Sequence, residues 1–572
     1  MSGPMSDAHG SAVSAEPERQ SRFVILSPAH PSANLTDAAA LPFSSDPDKQ
    51  SKVPREQDFA ASDVSDDDPV ATEDEVRQLL HVVDRIPVRL WVACLAGILE
   101  RFVWYGATAP LQNYLQNAPG GEVPGALGLG QATASNIVNV LIIASYITPV
   151  PAAIIADSWL GRYKTMLYSA IIEAIGATIL CATSFPAVIE RGAGLGGLVA
   201  ACALMAIGSG AFKTTVVPFI ADQYDESELH VRTQKDGKKV VTSRTLTITY
   251  IYNVFYWGVN MISFLADCTP LLERHVGFWL AYLIPCCAMW LALLPILLGR
   301  SYFIQTSPTS NIMPQVAAAL RHGIAGGFQM DAAKPSNQLN HGRQVPWTDT
   351  FIDEIKRSLL TCRVLLLFPI HWLCYNQTFN NLISQAAQMT TYNIPNDMIK
   401  ISGPIAGILV APLIQKALYP YLTRHAIPFG PIARITTGFA ILTLSMAYTA
   451  VVQKLIYSSG PCYDRPLVCE HAIPNHISVF LQIPVYVAGA LAEVFCMTTG
   501  TEYAYTRAPD GMKTLVQAVW LGMAGVGTAL ALAFTPLTRD PELVVMYGIL
   551  AGLMGGATGL FWVVFRRLDR DE

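Results

Sequence analysis

Four ionisable residues stand inside long apolar stretches where charge is costly: the adjacent Glu100 and Arg101, then Lys213, then Glu493. A charged side chain at bilayer depth faces a protein interior or a water-filled cavity and finds a partner there. Carboxylates, a guanidinium and an ammonium can form ion pairs that a proton makes or breaks. Glu100 and Arg101 project about 100° apart on a helix, whereas Arg101 and Tyr105, four apart, share a face. A static salt bridge that fixes helix packing would use the same residues. The preferred reading is a network open to protonation and coupled to helix rearrangement. Snorkelling of Lys213 to the interface is the alternative, weakened by its distance from either end of the span; the preferred reading is a cavity lysine that pairs with Glu100 or holds a substrate carboxylate. The run Gly208 to Thr214 fails as a phosphate-binding loop, because Phe212 rather than glycine precedes the lysine. Glu493 is expected to carry a proton or bind an ammonium group; a hydrogen-bonded structural acid is the alternative. Glu173 and Asp267 are weaker candidates that need only reach an interface or one local partner. Asp157 and Arg162 flank a short loop, where acid and base can latch two helices in one conformation and release them in another.

Membrane-spanning helices must position these residues. Only 14% of the 572 residues are charged, against about 25% in soluble domains, and the mean hydropathy is +0.35. Twelve apolar segments are long enough to cross a bilayer, at about 88–115, 133–156, 163–184, 195–221, 245–268, 276–299, 363–388, 398–420, 430–453, 478–503, 514–535 and 543–565. Residues 1–80 are rich in Ser, Asp, Glu and Pro and are expected to form a disordered acidic cytosolic tail. The first span is expected to act as an uncleaved signal anchor. Lysine and arginine concentrate in alternate loops, including Arg232, Lys235, Lys238 and Lys239, and at Arg566 and Arg567. That bias places both termini in the cytosol.

A first half at 81–300, a linker at 301–362 and a second half at 363–572 suggest parallel six-helix repeats, the all-α major facilitator fold. In the linker, Asp349 to Leu360 puts Phe351, Ile355, Leu359 and Leu360 on one face, suited to the inner membrane surface or to an ordinary soluble helix. Cys462 and Cys469, in a loop on the oxidising side, are candidates for a disulfide. Aromatic and amide residues within the spans, among them Tyr105, Trp104, Tyr146, Asn260, Trp372, Asn376 and Trp520, are candidates for binding a ligand. In-span amides stand out because lipid cannot satisfy their hydrogen bonds.

Five segments in order resemble the proton-dependent oligopeptide transporters, the fungal peptide-transporter branch in particular. Glu100-Arg101-Phe102-Val103-Trp104-Tyr105-Gly106 looks like the second half of the family's ExxERFxYYG motif, and Ala156 to Thr165 like its ADxxxGRYKT loop. Phe255 to Ser263 is similar to FYWxINxGS, Gly277 to Tyr282 to the sixth-span signature, and Tyr505 to Thr514 to YTxAPxxMKS. By this resemblance Glu100, Arg101 and Lys213 form the proton-coupling network. Tyr105, Tyr146 and Asn260 line the cavity, and Glu493 faces the substrate's amino group. Four departures remove polar groups: Gly97 replaces the first Glu of the motif, Trp104 a tyrosine, Gly403 an asparagine and Met497 a serine. A more apolar site suits larger or more hydrophobic ligands.

The expected protein is therefore a proton-driven secondary transporter of small peptides or peptide-like molecules in the plasma membrane. Its partners are substrate, protons and the lipid bilayer, with no nucleic acid. An exporter of a peptide-derived metabolite on the same fold and a non-transporting sensor or scaffold are the alternatives. No metal-ligand cluster, nucleotide loop or nucleophile motif points to an enzyme or a cofactor.

Overall fold

A computed structural model describes Thr72, Glu75 and residues 79–569, except 122, 225–229, 234–238, 306–312, 328, 341, 343, 426–428, 467–472 and 507–512. The tail expected over 1–80 lies almost wholly outside the described residues. Apolar runs become helices, and their ends fall at proline, glycine and polar breaks. Pro87 precedes Val88–Thr108 (α1), and Gly130, at φ 78°, makes the turn into Gln131–Ile147 (α2). The first half continues with Arg162–Thr183 (α3), Gly194–Asp222 (α4), Arg244–Ala266 (α5) and Phe278–Leu298 (α6).

After a linker containing Asp349–Cys362 (α7), the seventh span is split into Phe368–Tyr375 (α8) and Asn381–Ala387 (α9). Then come Ser402–Leu413 (α10), Pro431–Ser458 (α11), Ile483–Thr506 (α12), Lys513–Leu532 (α13) and Leu543–Phe565 (α14). Among the described residues nine helical segments are long and apolar enough to cross a membrane unaided. The other three expected spans are present as α5, as the interrupted helix that begins with α10, and as α13.

Within the first half α3 packs along α4, and α1 lies against α5 and α6; within the second, α11 lies between α12 and α14. The halves meet where α2 packs on α13. At the end of the bundle away from the termini, here the distal end, side-chain amides and hydroxyls join them. Asn113 and Asn396 exchange reciprocal bonds of 2.8 and 2.9 Å, Ser135 donates to Asn381 at 3.0 Å, and Asn380 donates to Asn139 at 3.0 Å. Lys400 pairs there with Asp267 at 3.0 Å, the single local partner expected for that acid.

The break between α8 and α9 supplies half of this seam. Asn376–Phe379 forms one tight turn, Asn380 leaves the helical region at φ −140° and ψ −80°, and its side chain accepts from the Asn381 N–H. Non-helical backbone is tolerated at membrane depth only when protein covers it, and here Asn376, Gln377, Asn380 and Asn381 are all buried.

At the opposite end Leu80–Val82 (β1), Val231–Thr233 (β2) and Lys239–Thr242 (β3) form a small sheet, with β3 central. It ties the entry to α1 to the α4–α5 connection, and Tyr224 donates to Asp84 at 2.6 Å beside it. In the linker, Ile352 and Ile355 of α7 are buried with Val316, Ala319 and Trp347. The expected apolar face is thus corrected. Positions 352 and 355 pack on the helix Met313–Ala325, while Leu359 and Leu360 stay exposed. Cys462 is in a disulfide; Cys469 lies outside the described residues.

Candidate functional site

The charged residues lie inward, buried at 0% exposure for Glu100, 6% for Arg101, 7% for Lys213 and 5% for Glu493. Glu100 and Arg101, adjacent on α1, turn their side chains toward one another. Arg101 Nε donates to Glu100 Oε2 at 2.5 Å, and its Nη2 makes a second, closer contact with Oε1. Ser209 on α4 completes the cluster, donating to Glu100 Oε1 at 2.8 Å and accepting from Arg101 Nη2 at 3.0 Å.

This arrangement corrects two expectations. Glu100 and Arg101 find each other rather than a distant partner. With the Glu100 oxygens already engaged, Lys213 forms no salt bridge to it among the described residues. Its Nζ lies instead 5.3 Å from the Tyr146 ring centre and 5.9 Å from that of Trp104. Cation–π contact of this kind places the ammonium by the ring quadrupole and leaves its three donors for another acceptor.

Gly97 has a packing reason. A Cβ at this position would lie 2.7 Å from Phe255 and 2.8 Å from Val216, so α1 approaches its neighbours too closely for a larger residue. A second acid nevertheless reaches the cluster. Glu173 on α3 is fully buried, neither of its oxygens meets a donor, and its carboxyl sits beside that of Glu100. Gly208 permits this, because a Cβ there would lie 2.6 Å from Glu173 Cβ. Sequence reasoning ranked Glu173 low and missed Ser209. The glycines on both sides of Ser209 were its one available signal, marking a close helix approach.

A cavity opens beside the cluster, walled by Arg101, Trp104, Tyr105, Tyr146 and Lys213 with Phe379 from the broken span. Phe379 also borders a second cavity, with Tyr375, Gly403 and Pro404 in its wall. Tyr146 and Trp372 approach at 5.9 Å between ring centres, Trp372 and Tyr375 at 6.0 Å, and Tyr375 donates to Glu493 Oε2 at 2.8 Å. An aromatic bridge therefore runs from the ammonium in one half to the carboxylate in the other.

Five expected binding residues line neither cavity: Trp372 and Glu493 stand in the aromatic bridge, and Trp520, Asn376 and Asn260 lie elsewhere. Trp520 packs edge-on against Phe368 at 4.7 Å, between helices. Asn376 donates to Thr528 on α13 at 2.5 Å, which satisfies its amide within the second half. Asn260 is half-buried on α5 and is in the wall of neither cavity. Arg162 donates to both oxygens of Asp222, at 2.7 and 2.9 Å, and so joins the start of α3 to the end of α4. The Asp157 side chain lies outside the described residues.

A helical membrane bundle in two halves, with buried charges of both signs near their junction and a cavity beside them, defines a secondary transporter of the major facilitator fold. The chain belongs to the POT family, whose model (PTR2) matches residues 163–550. A Schizosaccharomyces pombe protein named a probable peptide transporter is 38% identical over 507 residues, 88% of this chain and 82% of its own. Peptide transporter PTR_C of Candidozyma auris is 36% identical over 522 residues, 90% of each chain. Among solved structures, that of the POT transporter PepTSo has a TM-score of 0.68 at 21% identity, covering 86% of this chain and 99% of its own.

Proposed function

We propose that this protein imports di- or tripeptides, or peptide-like molecules, into the cytosol, driven by a proton gradient. One observation carries the reading: Lys213 in the first half and Glu493 in the second present opposite charges, joined by the Tyr146–Trp372–Tyr375 bridge. A peptide has the complementary pattern, a terminal carboxylate for the ammonium and a terminal amine for the acid. Holding both ends requires both halves, so binding favours their closure around the ligand. Named peptide transporters among its relatives support the substrate class.

The proton acts in the adjacent cluster. Arg101 and Ser209 both bond to the Glu100 carboxyl, and Glu173 beside it has no donor of its own. A proton arriving at this pair of acids changes which of them Arg101 can hold, and so the fit of α1 against α3 and α4. Alternating access follows as rocking of the halves about the central cavity. By the positive-inside bias the distal end faces outward, and plasma membrane is the location we assign.

Lys213→Ala tests the reading. Purified, reconstituted protein should keep its folding and lose pH-driven peptide uptake. Wild-type uptake at equal protein density refutes the role given to Lys213.

A further inference from the structure

The distal seam contains carboxyls as well as amides. Glu273 lies in the short helix Thr269–His275 between α5 and α6, and Asp397 in the turn Asn396–Ile401 that leads into α10. They belong to different halves, and both are buried, at 4% and 0% exposure. Glu273 Oε1 accepts from Asn113 at 2.9 Å; its Oε2 meets no donor, and neither does either oxygen of Asp397. The two carboxyls face one another. Carboxylates sharing a dry site cannot both be ionised, and a proton held between them supplies the missing hydrogen bond.

We propose that Glu273 and Asp397 form a shared-proton site spanning the two halves, apart from the central cavity, and that its occupancy governs closure of the distal end. Its neighbours do not supply the missing donor. Lys400 is committed to Asp267 at 3.0 Å. Tyr282 of α6 flanks Glu273, and Tyr486 of α12 flanks Asp397, neither with its hydroxyl bonded to the acids. Arg274 and His275 follow Glu273 on its own helix, partly and fully exposed. The second cavity reaches this place, with Asp267, Lys400 and Tyr486 in its wall.

Burial, with Asp397 opposite, holds the Glu273 carboxyl well above the ordinary carboxylate range, and burial also raises that of Asp397. Opening the distal end admits water and returns both toward ordinary values. The closed form therefore binds the proton more tightly, and its advantage is lost as pH rises through the raised range of the pair. External acid would thus favour closure behind a loaded substrate.

The inference rests on the alternating-access reading, so distance and flux are measured together. Site-specific spin labels at the exposed distal positions Ala118 and Pro536 report the separation of the halves in reconstituted protein. The wild-type closed fraction should fall as pH rises, with a midpoint above the ordinary carboxylate range. Asp397→Asn and Glu273→Gln, each mimicking a protonated acid, should abolish that midpoint or move it by more than about one pH unit. If either variant fails to fold, a protonated-carboxyl infrared band that titrates above the ordinary carboxylate range in the wild type, and is absent from the other variant, supports the proposal. Proton-driven uptake with an unchanged midpoint in both variants overturns it and leaves the transport reading standing. A pH-dependent distance with no peptide flux at any pH would overturn that reading and uphold the shared-proton site.

Discussion

Replacing Ser209 by alanine removes one hydroxyl from the Glu100–Arg101 pair and leaves the pair intact. That hydroxyl is fully buried, donates to Glu100 at 2.8 Å and accepts from Arg101 at 3.0 Å. Hydrogen bonds to charged groups contribute about 1.5–3 kcal/mol each. Glu100 and Arg101 still hold one another in the variant, so the combined loss should be near the lower figure, about 2 kcal/mol. At about 1.4 kcal/mol per factor of ten, that is roughly a thirtyfold change in an equilibrium. Which equilibrium changes is the informative part. A bond present in every conformation of the cycle lowers thermal stability and leaves the pH profile of uptake in place. A bond made only in the conformation seen here shifts the balance between conformations, moves the pH profile and changes the apparent KM. Thermal unfolding of purified protein and uptake into vesicles across a pH series separate the two cases. Ser209→Ala with wild-type unfolding and a wild-type pH profile would refute the cluster as a working unit.

Gly97→Ala should cost about 1–3 kcal/mol by overpacking, because its Cβ would meet Phe255 and Val216 at 2.7 and 2.8 Å; an unchanged unfolding temperature contradicts the close approach. Arg162→Ala and Asp222→Ala should each slow uptake at saturating substrate. The charge-swapped pair should regain part of it, since the bond joins α3 to α4; single variants with wild-type rates would show the contact to be passive.

Twelve apolar runs gave the spans because burial in lipid leaves a long, plain signal. The two charges on α1 could be read for the same reason. Partner choice was less legible. Nothing in spacing indicates that neighbours on a helix will curl together, as Glu100 and Arg101 do. Trp520 and Asn376 have the composition of ligand contacts, yet their neighbours Phe368 and Thr528 engage them first. Glu173 and the Glu273–Asp397 pair are ordinary acids in sequence. Only the packing of distant segments leaves both oxygens of Glu173 and Asp397, and one of Glu273, without donors. The amphipathic pattern of α7 located the helix, while the partner helix Met313–Ala325 decided which residues were covered.

The broken seventh span has an energetic consequence for gating. Asn380 at the break, with Asn381 and Ser384 on the helix that restarts after it, clasp Asn139, Ser135 and Gln112 of the first half. Each such bond can be traded for one to water at small net loss, and uncharged groups feel neither membrane voltage nor salt. A clasp built this way closes a passage without locking it. The two postures of the protein then differ by so little that a peptide and a proton, each with a few kcal/mol of preference, can decide between them.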